Sequence, residues 1–135
     1  VNGNVAKLLA EAHVSKRALF IALIDPDRLD VSQARERVQM FQDNRVDLIF
    51  VGGSLTAVSD FDRYVGEVQT AASIPVVGFP GSTDQISGHL DAILFLSVIS
   101  GRNPDLLFGQ HVHVATQLKE LSIEVISTGY ILVES

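Results

Sequence analysis

The chain has 135 residues, 47% hydrophobic and 19% charged, with a formal net charge of −6 and no cysteine. That size suits one domain around a single core, and a positive mean hydropathy argues against disorder. Its ten Lys and Arg residues are scattered, which excludes the basic stripe of a nonspecific nucleic-acid binder, and without Cys there is no disulfide, thiolate metal site or cysteine nucleophile.

The elements read as follows in chain order. A helix is predicted over residues 4–13. Leu19 to Ile24 is apolar throughout and ends at Asp25-Pro26, the pattern of a strand covered on both faces. Ser32 is the expected cap of a helix carrying Ala34, Val38 and Phe41 at helical spacing. Leu48 to Val51 reads as a strand running into Gly52-Gly53, and Ser59 as the cap of a helix with Phe61, Val65, Val68 and Ala72 on its buried side. Val76-Val77 and Ala92 to Leu96 are further strands, with only about a dozen residues between them, room for a turn of helix around Asp84 to Ser87 and no more. Asn103-Pro104 opens a last helix with Leu107, His111, Val114 and Leu118 as its stripe, and Val125-Ile126 is the fifth strand.

Strand and helix alternation with near-continuous apolar strands implies a parallel α/β sheet. Periodicity alone allows an open doubly wound sheet or the first five strands of a (βα)8 TIM barrel. Ile131-Leu132-Val133 leaves the fifth strand with no helix to cover it, which favours the barrel, residues 1–135 being the N-terminal part of a single barrel domain. Consistent with a piece or a processed chain, there is no initial Met. Neither a signal-peptide pattern nor a run of about 18 apolar residues is present, so a cytoplasmic location is expected.

In parallel α/β folds ligands bind at the carboxyl ends of strands. Those ends carry Asp25-Pro26-Asp27-Arg28, Gly52-Gly53-Ser54, Phe79-Pro80-Gly81-Ser82, Ser97 to Asn103 and Thr128-Gly129-Tyr130. Asp25 sits at the rim of the core, where an unpaired charge is costly and a divalent cation offsets the cost. Carboxylate and hydroxyl oxygens suit Mg²⁺, with Ser54 the natural second oxygen. The competing structural reading is an Asx turn at Asp25 fixed by Pro26. Gly52-Gly53 would let backbone approach a ligand, with N–H groups beyond it to cradle an anion, or it is an ordinary turn. His111 and His113 cannot share a helical face and read as structural or surface residues, and His13 and His89 have no partner at ligand spacing. Tyr130 is a candidate pocket donor or a packing residue, and Asn103 a phosphate contact or a cap.

Ile24-Asp25-Pro26-Asp27-Arg28, Val51-Gly52-Gly53-Ser54, Phe79-Pro80-Gly81-Ser82, Ser100-Gly101-Arg102-Asn103-Pro104 and Glu124-Val125-Ile126-Ser127-Thr128-Gly129-Tyr130-Ile131 together resemble the geranylgeranylglyceryl phosphate synthases and their bacterial heptaprenyl relatives. The resemblance implies a modified barrel whose third helix is replaced by an extended segment. The implied reaction is Mg²⁺-dependent transfer of a prenyl group from prenyl diphosphate to sn-glycerol 1-phosphate, in a homo-oligomer with transient membrane proximity. It assigns the metal to Asp25 and Ser54, and pocket roles to Glu124 and Tyr130, with Glu124 as the expected proton acceptor and Asp27 orienting the loop. Leu23 stands where some archaeal members carry a Lys, and the family's Tyr-Leu-Glu-Ala-Gly-Ser-Gly stretch and later glycine-rich loops fall after residue 135. Two rival readings are a haloacid-dehalogenase-like phosphohydrolase, with Asp25 as nucleophile and Asp27 as acid/base, and a noncatalytic barrel fragment or assembly subunit.

Overall fold

The computed structural model describes residues 4–54 and 59–133. The five apolar runs form strands β1 (Ile21–Ile24), β2 (Leu48–Val51), β3 (Val76–Gly78), β4 (Ala92–Val98) and β5 (Glu124–Tyr130). All pair in parallel, in the spatial order β1-β2-β3-β4-β5. A sheet that advances in sequence order is the wall of a barrel; a doubly wound sheet reverses its order part-way.

Alternation along each strand divides the side chains between two faces. On the outer face Ile24, Ile49, Val51 and Val76 are buried beneath α2 (Val31–Asp43) and α3 (Phe61–Ala71), which contribute Ala34, Val38, Phe61, Tyr64, Val65 and Val68. Ile93 and Phe95 continue that face beneath Val114 and Leu118 of α4 (Gln110–Leu121). On the inner face Leu48, Val77, Ala92 and Leu94 pack with Val5, Leu8 and Leu9 of α1 (Asn4–Val14). Each aliphatic side chain so buried stabilises the fold by about 1.5–3 kcal/mol. Because α1 touches the first residues of β2 and β4, it closes the inner face at the amino ends of the strands and leaves their carboxyl ends clear.

The helix starts differ from the serine caps expected of the sequence. Asp30, one residue before α2, accepts the N–H of Gln33 at 2.9 Å, and the Gln33 amide oxygen accepts the N–H of Asp30 at 3.0 Å. This reciprocal box outcompetes Ser32, because a short carboxylate both satisfies an orphan donor and complements the helix dipole. Asp60 likewise displaces Ser59, accepting the N–H of Arg63 at 3.0 Å. Asn103 caps as expected, its Oδ1 accepting the N–H of Asp105 at 3.0 Å, and a π-helical turn (Asp105–Gly109) then leads into α4.

Between β3 and β4 the chain forms no helix. In place of the helical turn expected around Asp84 to Ser87 there are two hydrogen-bonded turns, Gln85 N–H to Ser82 O at 3.3 Å and Leu90 N–H to Ser87 O at 3.4 Å, joined by irregular backbone. Among the described residues, no helix is long and apolar enough to cross a membrane.

Candidate active site

Asp25 leaves β1 at the carboxyl rim of the sheet. Its Oδ1 accepts the N–H of Asp27 at 3.0 Å and its carbonyl accepts the N–H groups of Arg28 and Leu29, so the Asx turn is real. Its Oδ2 faces Arg28 Nε at 3.3 Å. The loop is held from outside by Tyr64 of α3, whose phenol donates to the carbonyl of Leu29 at 2.9 Å. Burial, then the negative charges of Asp30 and Asp25, push that phenol up to about 12, so it remains a donor through the neutral range.

The β2 exit meets this loop side on. Gly52 has φ +153°, and a Cβ there would lie 2.0 Å from the carbonyl oxygen of Phe79; a Cβ on Gly53 would lie 3.0 Å from Asp25 Oδ1. The glycine pair thus serves internal close packing, against β3 on one side and the Asp25 carboxylate on the other. Nor does Gly53 present a free donor: its N–H goes to the side chain of Gln85 at 3.1 Å. Ser54 follows directly and is exposed, so the two sequence-predicted metal positions are neighbours at adjacent strand ends.

Toward the mouth the inner face is aromatic. Phe50 and Phe79 stack with centroids 5.7 Å apart, and Tyr130, at the carboxyl end of β5, meets Phe79 edge-on at 6.1 Å. Leu23, 51% exposed, continues this wall along β1.

Glu124 is not part of this group. It opens β5 at the amino end, is 5% exposed, and its two carboxylate oxygens accept the N–H groups of Val5 and Ala6 at 3.0 and 2.8 Å. It caps α1, satisfying orphan donors and the positive end of the helix dipole. Six residue steps of extended strand separate it from Tyr130, roughly 20 Å, beyond reach of any proton at the mouth. The expectation that Glu124 accepts the substrate proton is therefore corrected.

His111 is structural, its Nε2 lying 2.6 Å from the carbonyl of Leu96 and its ring stacked on Phe95. Among the described residues, no group of three or more His, Asp or Glu side chains could hold a metal. What the adjoining β1 and β2 exits offer is the Asp25 carboxylate, the Ser54 hydroxyl and backbone oxygens. That donor set fits a hard cation that keeps its waters, such as Mg²⁺, and does not fit zinc.

Where the helix between β3 and β4 is missing, the outer wall opens. An apolar cleft lined by Ile86, Ile93, Phe95, Val114 and Leu118 lies under α4, and a mainly polar cavity of about 490 Å³ lies lower, between the ends of α3 and α4, where Gln69, Ser73, Asp91, Ser122 and Glu124 join Leu90 and Ile123.

Residues 12–135 match the model of the PcrB family. The chain belongs to that family. The geranylgeranylglyceryl phosphate synthase of Chitinophaga pinensis is 48% identical over 115 residues, covering 85% of this chain and 46% of the relative. That of Pyrococcus horikoshii is 37% identical over 133 residues, 98% of this chain and 52% of the relative. Among solved structures, the Thermoplasma acidophilum (S)-3-O-geranylgeranylglyceryl phosphate synthase, in complex with its substrate sn-glycerol-1-phosphate, superposes with a TM-score of 0.83 at 26% identity, covering 92% of this chain and 51% of that one. The Thermoplasma volcanium enzyme gives 0.79 at 29%, covering 84% and 46%. This PcrB-family chain spans about half the length of the relatives it matches, and its five strands are part of a TIM-barrel-like fold. Family membership and the strand order set aside the haloacid-dehalogenase reading.

Proposed function

We propose that this chain is the metal- and prenyl-diphosphate-binding part of a Mg²⁺-dependent prenyltransferase that moves a geranylgeranyl or similar group from prenyl diphosphate to the hydroxyl of sn-glycerol 1-phosphate. The observation that carries the reading is the Asp25 carboxylate set against the bare Cα of Gly53, with Ser54 next in the chain. Support comes from the relatives, which are named for this activity.

Asp25 and Ser54 would hold the cation. When bound, Mg²⁺ supplies charge neutralisation of the diphosphate as it leaves. Arg28, 84% exposed beside Asp25, would add positive charge at the same end. The Phe50, Phe79 and Tyr130 rings would exclude water from the allylic carbon as positive character develops there. The cleft under α4, lined by Ile86, Ile93, Phe95, Val114 and Leu118, would take the start of the prenyl tail. Cytoplasmic location, homo-oligomeric assembly and transient membrane contact belong to the same proposal. Phe108 and Val112, 59% and 72% exposed and one helical turn apart, suit a subunit contact.

The test is Asp25→Asn in the full-length protein. Turnover should fall by orders of magnitude with circular dichroism unchanged, and near-normal turnover would sink the proposal.

A further inference from the structure

Gln85 is fully buried in the irregular β3–β4 connection. Its Oε1 accepts the N–H of Gly53 at 3.1 Å and the N–H of Gly81 at 3.2 Å, while its Nε2 donates to the carbonyl of Gly53 at 2.8 Å. Two donors converging on one end of the amide fix its orientation, since only the oxygen can accept. The β2–β3 pairing ends at Val51 and Gly78, so beyond it the side chain replaces the missing strand partner of Gly53, bonding both its N–H and its C=O.

The packing around this amide leaves no slack. A Cβ on Gly81 would fall 2.2 Å from the carbonyl oxygen of Gly53 and 2.8 Å from the Cα of Ser54. The Gly53 backbone is thus clamped between the Gly81 loop and the Asp25 carboxylate.

We infer that Gln85 is a positioning residue: it fixes the β2 exit in the one place where the Ser54 hydroxyl and the Asp25 carboxylate serve the same cation. This rests on the metal reading above and adds that the site is assembled before the cation arrives. Outer partners of metal ligands typically contribute about 10–100-fold to affinity.

The experiment is Mn²⁺ binding in the presence of inorganic pyrophosphate, followed by electron paramagnetic resonance on the full-length protein, with thermal melting in parallel. Gln85→Met, which keeps the bulk and loses all three bonds, should bind Mn²⁺ about tenfold or more weakly. Gln85→Glu keeps an acceptor oxygen for the N–H groups of Gly53 and Gly81 and should bind more tightly than Gln85→Met. Wild-type affinity in Gln85→Met, or an equal loss in Gln85→Glu, would overturn the inference. Amide exchange of the wild-type protein gives a measurement independent of how the variants fold. The Gly53 and Gly81 N–H groups should be protected without metal, and exchange at the rate of exposed loop amides would also overturn it. Asp25→Asn separates the two readings: if it keeps Mn²⁺ affinity, the metal assignment itself is wrong, whatever Gln85 does.

Discussion

The phenol of Tyr64 donates to the carbonyl of Leu29 at 2.9 Å, tying α3 to the loop that carries Asp25. Tyr64→Phe removes only this bond and should lower stability by about 1 kcal/mol in urea unfolding. Because the folded phenol is raised to about 12 from an ordinary 10.0, the folded state holds its proton longer than the unfolded chain. Its contribution is therefore complete below pH 10 and is lost as pH rises toward 12. With Tyr130→Phe as background, ultraviolet titration should find the remaining tyrosine ionising near 12.

Glu124→Ala should separate folding from chemistry. Two N–H groups of α1 lose their acceptor, at a cost of about 1–3 kcal/mol. Mn²⁺ binding at the opposite end of the sheet should not change. A variant that folds normally and loses metal binding would contradict the assignment of Glu124 to the helix cap.

Gly53→Ala should do the reverse. A methyl group 3.0 Å from Asp25 Oδ1 obliges the carboxylate to shift by a few tenths of an ångström. Weaker Mn²⁺ binding with a nearly unchanged melting temperature is the expected result, measured by the same resonance titration and by calorimetry.

The acid side of the stability profile should depend on Asp47. Its carboxylate accepts from Arg17 Nη1 at 2.7 Å and from the N–H of Phe20 at 2.8 Å, and these bonds hold its pKa below the ordinary 3.8. The stabilisation is present above pH 3.8 and is lost as pH falls through the lowered folded-state value. The melting difference between wild type and Asp47→Asn should be constant near neutrality and close on acidification.

Much of this arrangement was legible in the sequence, because strands buried on both faces are continuous apolar runs and their polar exits mark the rim. The five strands, the missing helix before Ala92 and the proximity of Asp25 to the Ser54 segment follow from that logic. The helix caps were legible to within one or two residues, since Asp30 and Ser32, like Ser59 and Asp60, are chemically similar candidates and only geometry separates them. Glu124 was misplaced for a different reason. It adjoins the Thr128-Gly129-Tyr130 exit in sequence, yet a strand carries neighbours in one motif to opposite ends of a barrel. Gln85 gave no periodic signal at all: its partner Gly53 lies 32 residues away, and an isolated Gln in an irregular segment has the ordinary appearance of a solvated loop residue.

The bond between α1 and Glu124 spans nearly the whole chain, joining residues 119 positions apart. During synthesis α1 emerges before any of these strands, and each strand from β2 to β5 can then add to the one made just before it, a sequence of local steps with little loop-closure cost. The carboxylate that secures α1 arrives only with the start of the fifth strand. Until then the helix has its apolar stripe but lacks the Glu124 carboxylate, so its full anchoring waits for four strands to be in place and the fifth to begin.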